Sequence, residues 1–137
     1  MAEDNPHDVE LTLRALRTNS IDVDVDVVED GEEALDYLYR REGFKNRPEA
    51  DPAIILLDLK MPKLGGAEIL QQIKSDERFK CLPAIMLTSS GEIQDIRTCY
   101  RLGANGYVIK PVDAKEFAQA IKDLMAFWLS LNQPPPL

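Results

Sequence analysis

Ala53-Ile54-Ile55-Leu56-Leu57-Asp58 is the stretch that decides the fold. Its five apolar residues run without a polar break and then stop at a carboxylate. An uninterrupted run of this length fits a strand covered on both faces, the usual state of a strand in a parallel sheet. Two further stretches repeat the form. Pro83-Ala84-Ile85-Met86-Leu87 leads into Thr88-Ser89-Ser90, and Gly106-Tyr107-Val108-Ile109 leads into Lys110-Pro111. The spacing predicts three buried strands that end in Asp58, Thr88 and Lys110.

Helical periodicity fills the intervals. Ile69, Leu70 and Ile73 mark one helix, and a second runs from about Ile93 to Leu102, closed by Gly103. A last helix starts at Asp113, with Glu116 three residues on as a capping box, and carries Phe117, Ile121, Leu124, Met125 and Trp128 as its stripe. Before the first run, Val9, Leu13 and Leu16 predict a helix from Val9 to about Thr18 with Asp8 as its cap. Ala34, Leu35, Leu38 and Tyr39 predict another from about Gly31 to Arg41. Between them, Ile21-Asp22-Val23-Asp24-Val25-Asp26-Val27 alternates strictly and predicts an edge strand whose aspartates discourage foreign pairing. Those aspartates diverge along one strand and cannot converge on an ion by themselves. Glu42 to Pro52 reads as a long loop, and Pro134-Pro135-Pro136 ends any helix. Alternating strands and helices define an α/β fold with a parallel sheet and right-handed crossovers.

The 137 residues suit one domain, and 45% hydrophobic content provides a core. A net charge of -8 disfavours binding to nucleic acid or an anionic membrane through a broad basic surface. Cys81, Cys99 and the single His7 form no zinc set, and the cysteines read as small buried apolar residues in a reducing compartment. His7 reads as a solvated loop residue. No apolar run reaches membrane-span length and the N-terminus is acidic, so a cytoplasmic location is expected.

In open α/β sheets, function collects at the carboxyl ends of the strands. There the sequence puts an oxygen nucleophile in Asp58, a hydroxyl in Thr88 and a mobile cation in Lys110. Glu3-Asp4 adds hard oxygen ligands suited to Mg²⁺. Two carboxylates about 5 Å apart repel by roughly 3 kcal/mol at an effective dielectric near 20. A cluster of them holds its protons unless a cation joins it, and Mg²⁺ with Lys110 would supply that charge.

Glu3-Asp4-Asn5-Pro6, Leu56-Leu57-Asp58-Leu59-Lys60-Met61-Pro62, Leu87-Thr88-Ser89, and Leu102-Gly103-Ala104-Asn105-Gly106-Tyr107-Val108-Ile109-Lys110-Pro111 resemble, in order and spacing, the signatures of response-regulator receiver domains. The resemblance implies a flavodoxin-like (βα)5 doubly wound parallel sheet over residues 1–126. It implies that Asp58 accepts a phosphoryl group from a sensor histidine kinase. Asp4 would bind Mg²⁺ directly, Glu3 through water, and Lys60 through its backbone carbonyl, with Asp58 completing the metal set. Thr88 and Lys110 would hold the phosphoryl oxygens, Tyr107 would reorient with Thr88, and Lys110-Pro111 would be cis. Signalling would pass through the surface of the last two helices and the last strand. The loop from Glu42 to Pro52 and the ending Phe127-Trp128-Leu129-Ser130 look like the stand-alone receivers that serve bacterial phytochromes. Residues 127–137 would then form an extension in which Phe127 and Trp128 contribute to a homodimer; Trp128 covering the domain's own core is the equal alternative.

The sequence departs from this pattern in two places. Receivers begin with a buried apolar strand before the acidic pair, and here only Met1 and Ala2 precede Glu3, so the first central strand is expected to be missing or truncated. Gly65 stands where the family usually has aspartate. A degenerate receiver acting as a phosphorylation-independent interaction module is therefore a second reading. A phosphatase with an aspartyl-phosphate intermediate is a third. It is disfavoured because Lys60 stands where its second acid would be, and an enzyme that turns over substrate is not expected.

Overall fold

The structure is a computed structural model, and it describes residues 1–136. Three parallel strands form the regular sheet: β1 (Ile55–Leu57), β2 (Ala84–Thr88) and β3 (Gly106–Ile109), in the order β1-β2-β3. The helices are α1 (Pro6–Thr18), α2 (Gly31–Tyr39), α3 (Gly66–Lys74), α4 (Ile93–Arg101) and α5 (Ala114–Met125). Side chains alternate through the sheet. Leu57 and Met86 point into a core with Leu38, Ile69, Ile73 and Phe79. Leu56, Ile85 and Leu87 point the other way, onto Leu16, Phe117 and Ile121. Helices α1 and α5 therefore cover one face and α2 and α3 the other, as in a doubly wound sheet.

The first central strand is reduced to one bridging residue. Ala2 pairs in parallel with Val28 on one side and Leu57 on the other. Four backbone bonds hold it there: Ala2 N–H to Leu56 C=O (2.8 Å), Asp58 N–H to Ala2 C=O (3.0 Å), Glu3 N–H to Val28 C=O (2.9 Å) and Val28 N–H to Met1 C=O (2.9 Å). Behind Ala2 the sheet opens into a cleft of about 390 Å³, bounded by Val23, Val25, Val28, Ile54 and Leu56.

The cleft explains why the expected edge strand at Ile21–Val27 is absent. The segment keeps its alternation, with Ile21, Val23 and Val25 half-buried against the core and Asp22, Asp24 and Asp26 exposed. It lacks a neighbour to complete a ladder, so only Val28 pairs. Other expectations shift by smaller amounts. Asn5, not Asp8, caps α1, accepting from the His7 and Asp8 amides with Pro6 in the first turn. β3 is half-buried rather than buried, with Ile109 about half exposed, because it lies at the edge of the sheet. Cys81 is exposed while Cys99 is buried. The Glu42–Pro52 loop contains a short 3₁₀ turn at Glu42–Phe44.

The carboxyl end of α5 continues as a π-helical segment, Ala126–Leu131. Trp128 packs partly onto the α1/α5 core and meets Phe127 edge to face. Gly103 adopts φ +103°, the left-handed conformation expected of a residue that ends a helix. Asp113 caps α5 by accepting from the Lys115 and Glu116 amides. Lys110–Pro111 is trans, since no cis peptide occurs among the described residues, which corrects the expectation at Pro111. Trans is the default for an X–Pro bond by about 0.5–1 kcal/mol, and Val112 just beyond lies in solvent, where no packing imposes the rarer form.

Candidate functional site

The carboxyl ends of the strands converge as the sequence predicts. Asp58 directly follows β1, and its amide is fixed by Ala2 C=O. Gly66 opens α3 directly against it. A Cβ on Gly66 would come within 2.2 Å of the Asp58 carbonyl oxygen, so only glycine lets the helix approach Asp58 this closely. Thr88 closes β2 with 2% exposure, and its hydroxyl oxygen accepts from the Ser90 amide at 3.4 Å. The Lys110 amide donates to Thr88 C=O at 2.7 Å, which sets the ends of β2 and β3 level.

Lys110 is the hub. Its ammonium donates to Glu3 in a very short contact, to Asp8 Oδ2 at 2.8 Å and to Asp58 Oδ2 at 3.4 Å. The lysine side chain is 7% exposed, so these pairs sit largely out of water. Burial is the largest single influence on Lys110 and acts to lower its pKa. The carboxylates of Asp8, Glu3 and Asp58 outweigh it, and the ammonium is held above its usual value.

Glu3 is buried, with one oxygen, Oε2, that has no hydrogen-bond partner. Desolvation pushes its pKa up to about 8. The adjacent Asp58 adds to the rise and Lys110 opposes it. Carboxylate oxygens of Glu3, Asp4 and Asp58 lie within 4.8 Å of one another. Three hard oxygens so close, on a cluster in which Glu3 also keeps a buried, unpartnered oxygen, fit a divalent cation, which would add positive charge to the cluster. Lys60, two residues after Asp58, is exposed.

Tyr107 is half-buried, and its hydroxyl donates to Ser90 C=O at 2.9 Å, tying β3 to the loop after Thr88. Burial raises its phenol pKa. Among the residues named from sequence, Glu3, Asp4, Asp58, Thr88, Tyr107 and Lys110 thus gather at one edge. Phe127 and Trp128 lie in the segment that prolongs α5.

Asp8 is the member that sequence reading missed. The signal was available. Asn5 followed by Pro6 is a complete helix start, which leaves the carboxylate of Asp8, one turn further on, without a capping duty. Ser90 was also read only as part of a strand terminus. It accepts from Tyr107 through its carbonyl, and its hydroxyl donates to Asp95 at 2.6 Å.

A doubly wound sheet with an acidic trio, a strand-end hydroxyl and a buried lysine at its carboxyl edge is the arrangement of a phosphoryl-handling signalling domain. Residues 1–122 match the family model of the response regulator receiver domain, and the chain belongs to that family. It is similar to the response regulator Rcp1 of Synechocystis sp., at 33% identity over 94% of this chain and 86% of the relative. A Mn²⁺-bound crystal form of Rcp1 superposes with a TM-score of 0.90, at 32% identity over 98% of this chain and 96% of that one. The phosphorylated cyanobacterial phytochrome response regulator RcpA gives a TM-score of 0.91 at 36% identity, covering 98% and 95% of the two chains. The bacteriophytochrome response regulator RtBRR is 51% identical, with a TM-score of 0.78 over 98% of this chain and 81% of that one. Receivers bind a divalent metal and signal through phosphorylation, and a histidine kinase is the partner that the family implies.

Proposed function

We propose that Asp58 accepts a phosphoryl group from the phosphohistidine of a sensor kinase. The contact of the Lys110 ammonium with the Asp58 carboxylate, beside the acidic trio, carries this reading. A carboxylate oxygen of Asp58 forms the new O–P bond as the P–N bond to the donor imidazole breaks. Lys110 and the Thr88 hydroxyl take up the phosphoryl oxygens. Asp4, Asp58 and the Lys60 carbonyl would hold Mg²⁺ directly and Glu3 through water, and the ion would offset the negative charge of the phosphoryl group. Tyr107 and Thr88 then reorient together and alter the surface of α4, β3 and α5.

The protein works in the cytoplasm as a switch and not as a turnover enzyme. Its partner is a bacterial phytochrome kinase, a reading that the likeness to RtBRR and RcpA supports. It forms a homodimer through the last strand, α5 and the 127–137 extension, where Ile109, Val112, Phe127 and Leu131 are exposed. Acetyl phosphate with Mg²⁺ is expected to label the protein at Asp58. No labelling of the intact chain, or equal labelling of Asp58→Asn, overturns the reading. The cleft behind Ala2 favours one competing view, a phosphorylation-independent interaction module. Partner binding that stays unchanged in Asp58→Asn and in the presence of the phosphodonor would establish it.

A further inference from the structure

We propose that Asp8 is the positioning residue that keeps Lys110 aimed at the acceptor once other groups claim its remaining carboxylate partners. The inference rests on the acceptor role proposed for Asp58. An ammonium has three N–H donors, and Lys110 spends them on Glu3, Asp8 and Asp58. Two of these partners belong to the acidic trio that converges for a cation; Asp8 does not. A divalent cation drawing on Glu3 and Asp58 would set a second positive charge against the lysine, which contacts the same two carboxylates. Asp8 is then the one of its three carboxylate partners still free to hold it in place and to offset that repulsion.

The local structure suits the task. Asp8 lies in the first turn of α1, where its amide faces Asn5 Oδ1 (3.4 Å) and its carbonyl accepts from the Thr12 hydroxyl (2.9 Å). Its backbone is thus fixed by neighbours, while its side chain, 18% exposed, projects to Lys110. A carboxylate on a fixed helical turn restrains a flexible four-carbon side chain better than one on a loop would. Lys110 itself follows β3 and is exposed to the pull of whatever charge occupies the site.

The test uses the full chain with Mg²⁺ and acetyl phosphate. Asp8→Ala is expected to lower the maximal labelling rate about tenfold, with little change in the half-saturating Mg²⁺ or donor concentration. Asp8→Asn still accepts a hydrogen bond and should recover part of the rate. In a Lys110→Ala background, Asp8→Ala should have no further effect, because its influence runs through the lysine. A loss of equal size in both backgrounds would mean a merely structural role and overturns the proposal. So does an unchanged or faster rate in Asp8→Ala.

A second measurement stands apart from labelling. The Lys110 ammonium protons should give a protected ¹H–¹⁵N signal in the Mg²⁺-loaded parent and lose it in Asp8→Ala. A signal that persists in the variant also overturns the proposal. Failure of the parent to label would sink the acceptor reading alone, since the ammonium signal would still report whether Asp8 holds Lys110.

Discussion

The two halves of the sheet hold the same site by different means. On one side, β1, β2 and β3 pair through regular ladders, and Asp58, Thr88 and Lys110 stand at their ends. On the other, Glu3 and Asp4 follow a single bridging residue, with an open cleft behind it. The proposed acceptor arm inherits the stability of the core, whereas the proposed metal arm depends on four backbone bonds around Ala2. A site assembled this way is expected to lose its parts separately: the metal arm by local opening, the acceptor arm only by global unfolding.

Damage to the ladder half should therefore have the largest effect. Ile85, in β2, is 1% exposed and packs onto the α1/α5 face. Ile85→Ala should cost about 2–5 kcal/mol, and the arrangement of Asp58, Thr88 and Lys110 should be lost together with the core along one denaturation curve. Separate transitions for that arrangement and for the core in that variant would break the comparison from the ladder side. Next in size is Ala2→Pro, which removes the Ala2 N–H to Leu56 C=O bond in a buried position. Metal affinity, read by calorimetric titration, should fall about 10–100-fold, while amide exchange in β2 stays as slow as in the parent. Equal loss of protection in β2 would show that the two halves are one cooperative unit after all.

The third prediction concerns charge. In the metal-free protein Glu3 is held up at about 8, against an ordinary 4.5. Between those values the folded state keeps a proton that the unfolded state has released. The contribution of Glu3 to stability is therefore fully present below pH 4.5 and is lost as pH rises through about 8. Glu3→Gln cannot ionise and should lack this loss. Without metal it should melt higher than the parent above pH 8, with the gap closing towards pH 5. With divalent cation the ranking should invert, because the parent gains a ligand on deprotonation. Melting curves of equal pH slope for parent and variant would show that Glu3 is not held protonated by its burial.

The ladder half is also the half that was legible in the sequence. Unbroken apolar runs ending at Asp58, Thr88 and Lys110 mark the strands and the site together, because such runs suit the covered strands of a parallel sheet, even though β3 at the sheet edge is only half-buried. Ile21–Val27 was legible only in its alternation. The valines do face the core, but a ladder needs a partner strand, and no pattern within the segment can reveal that its neighbour is one residue long. Asp8 was hidden by a different competition. An aspartate before a helical pattern reads first as a cap, and only the completeness of Asn5-Pro6 as a helix start frees it for Lys110. The Glu42–Pro52 loop hid its anchor for a third reason. The side chain of Arg47 donates to the carbonyls of Tyr37, Leu38, Pro48 and Ala50, contacts that chain folding creates and no spacing encodes.

The smallest effect should come from the outer wall of the cleft, where Tyr37 donates to Asp26 Oδ2 at 2.6 Å. Burial, with help from Asp26, pushes the phenol of Tyr37 up to about 12, so it stays a donor throughout the physiological range. Tyr37→Phe keeps the ring against Phe44 and removes only that bond. The loss should be about 0.5–1.5 kcal/mol. Its location matters more than its size. Asp26 belongs to the strand-like segment that lacks a ladder, so the released energy should appear as faster amide exchange at Val28 and Glu3, with β2 and β3 unchanged. Divalent affinity should weaken slightly in step with that exchange, because Glu3 N–H donates to Val28 C=O. If exchange at Val28 quickens while metal affinity holds, the acidic pair is positioned from the β1 side alone, through Ala2 and Leu56. The weak half of the sheet would then narrow to the single wall formed by residues 21–28.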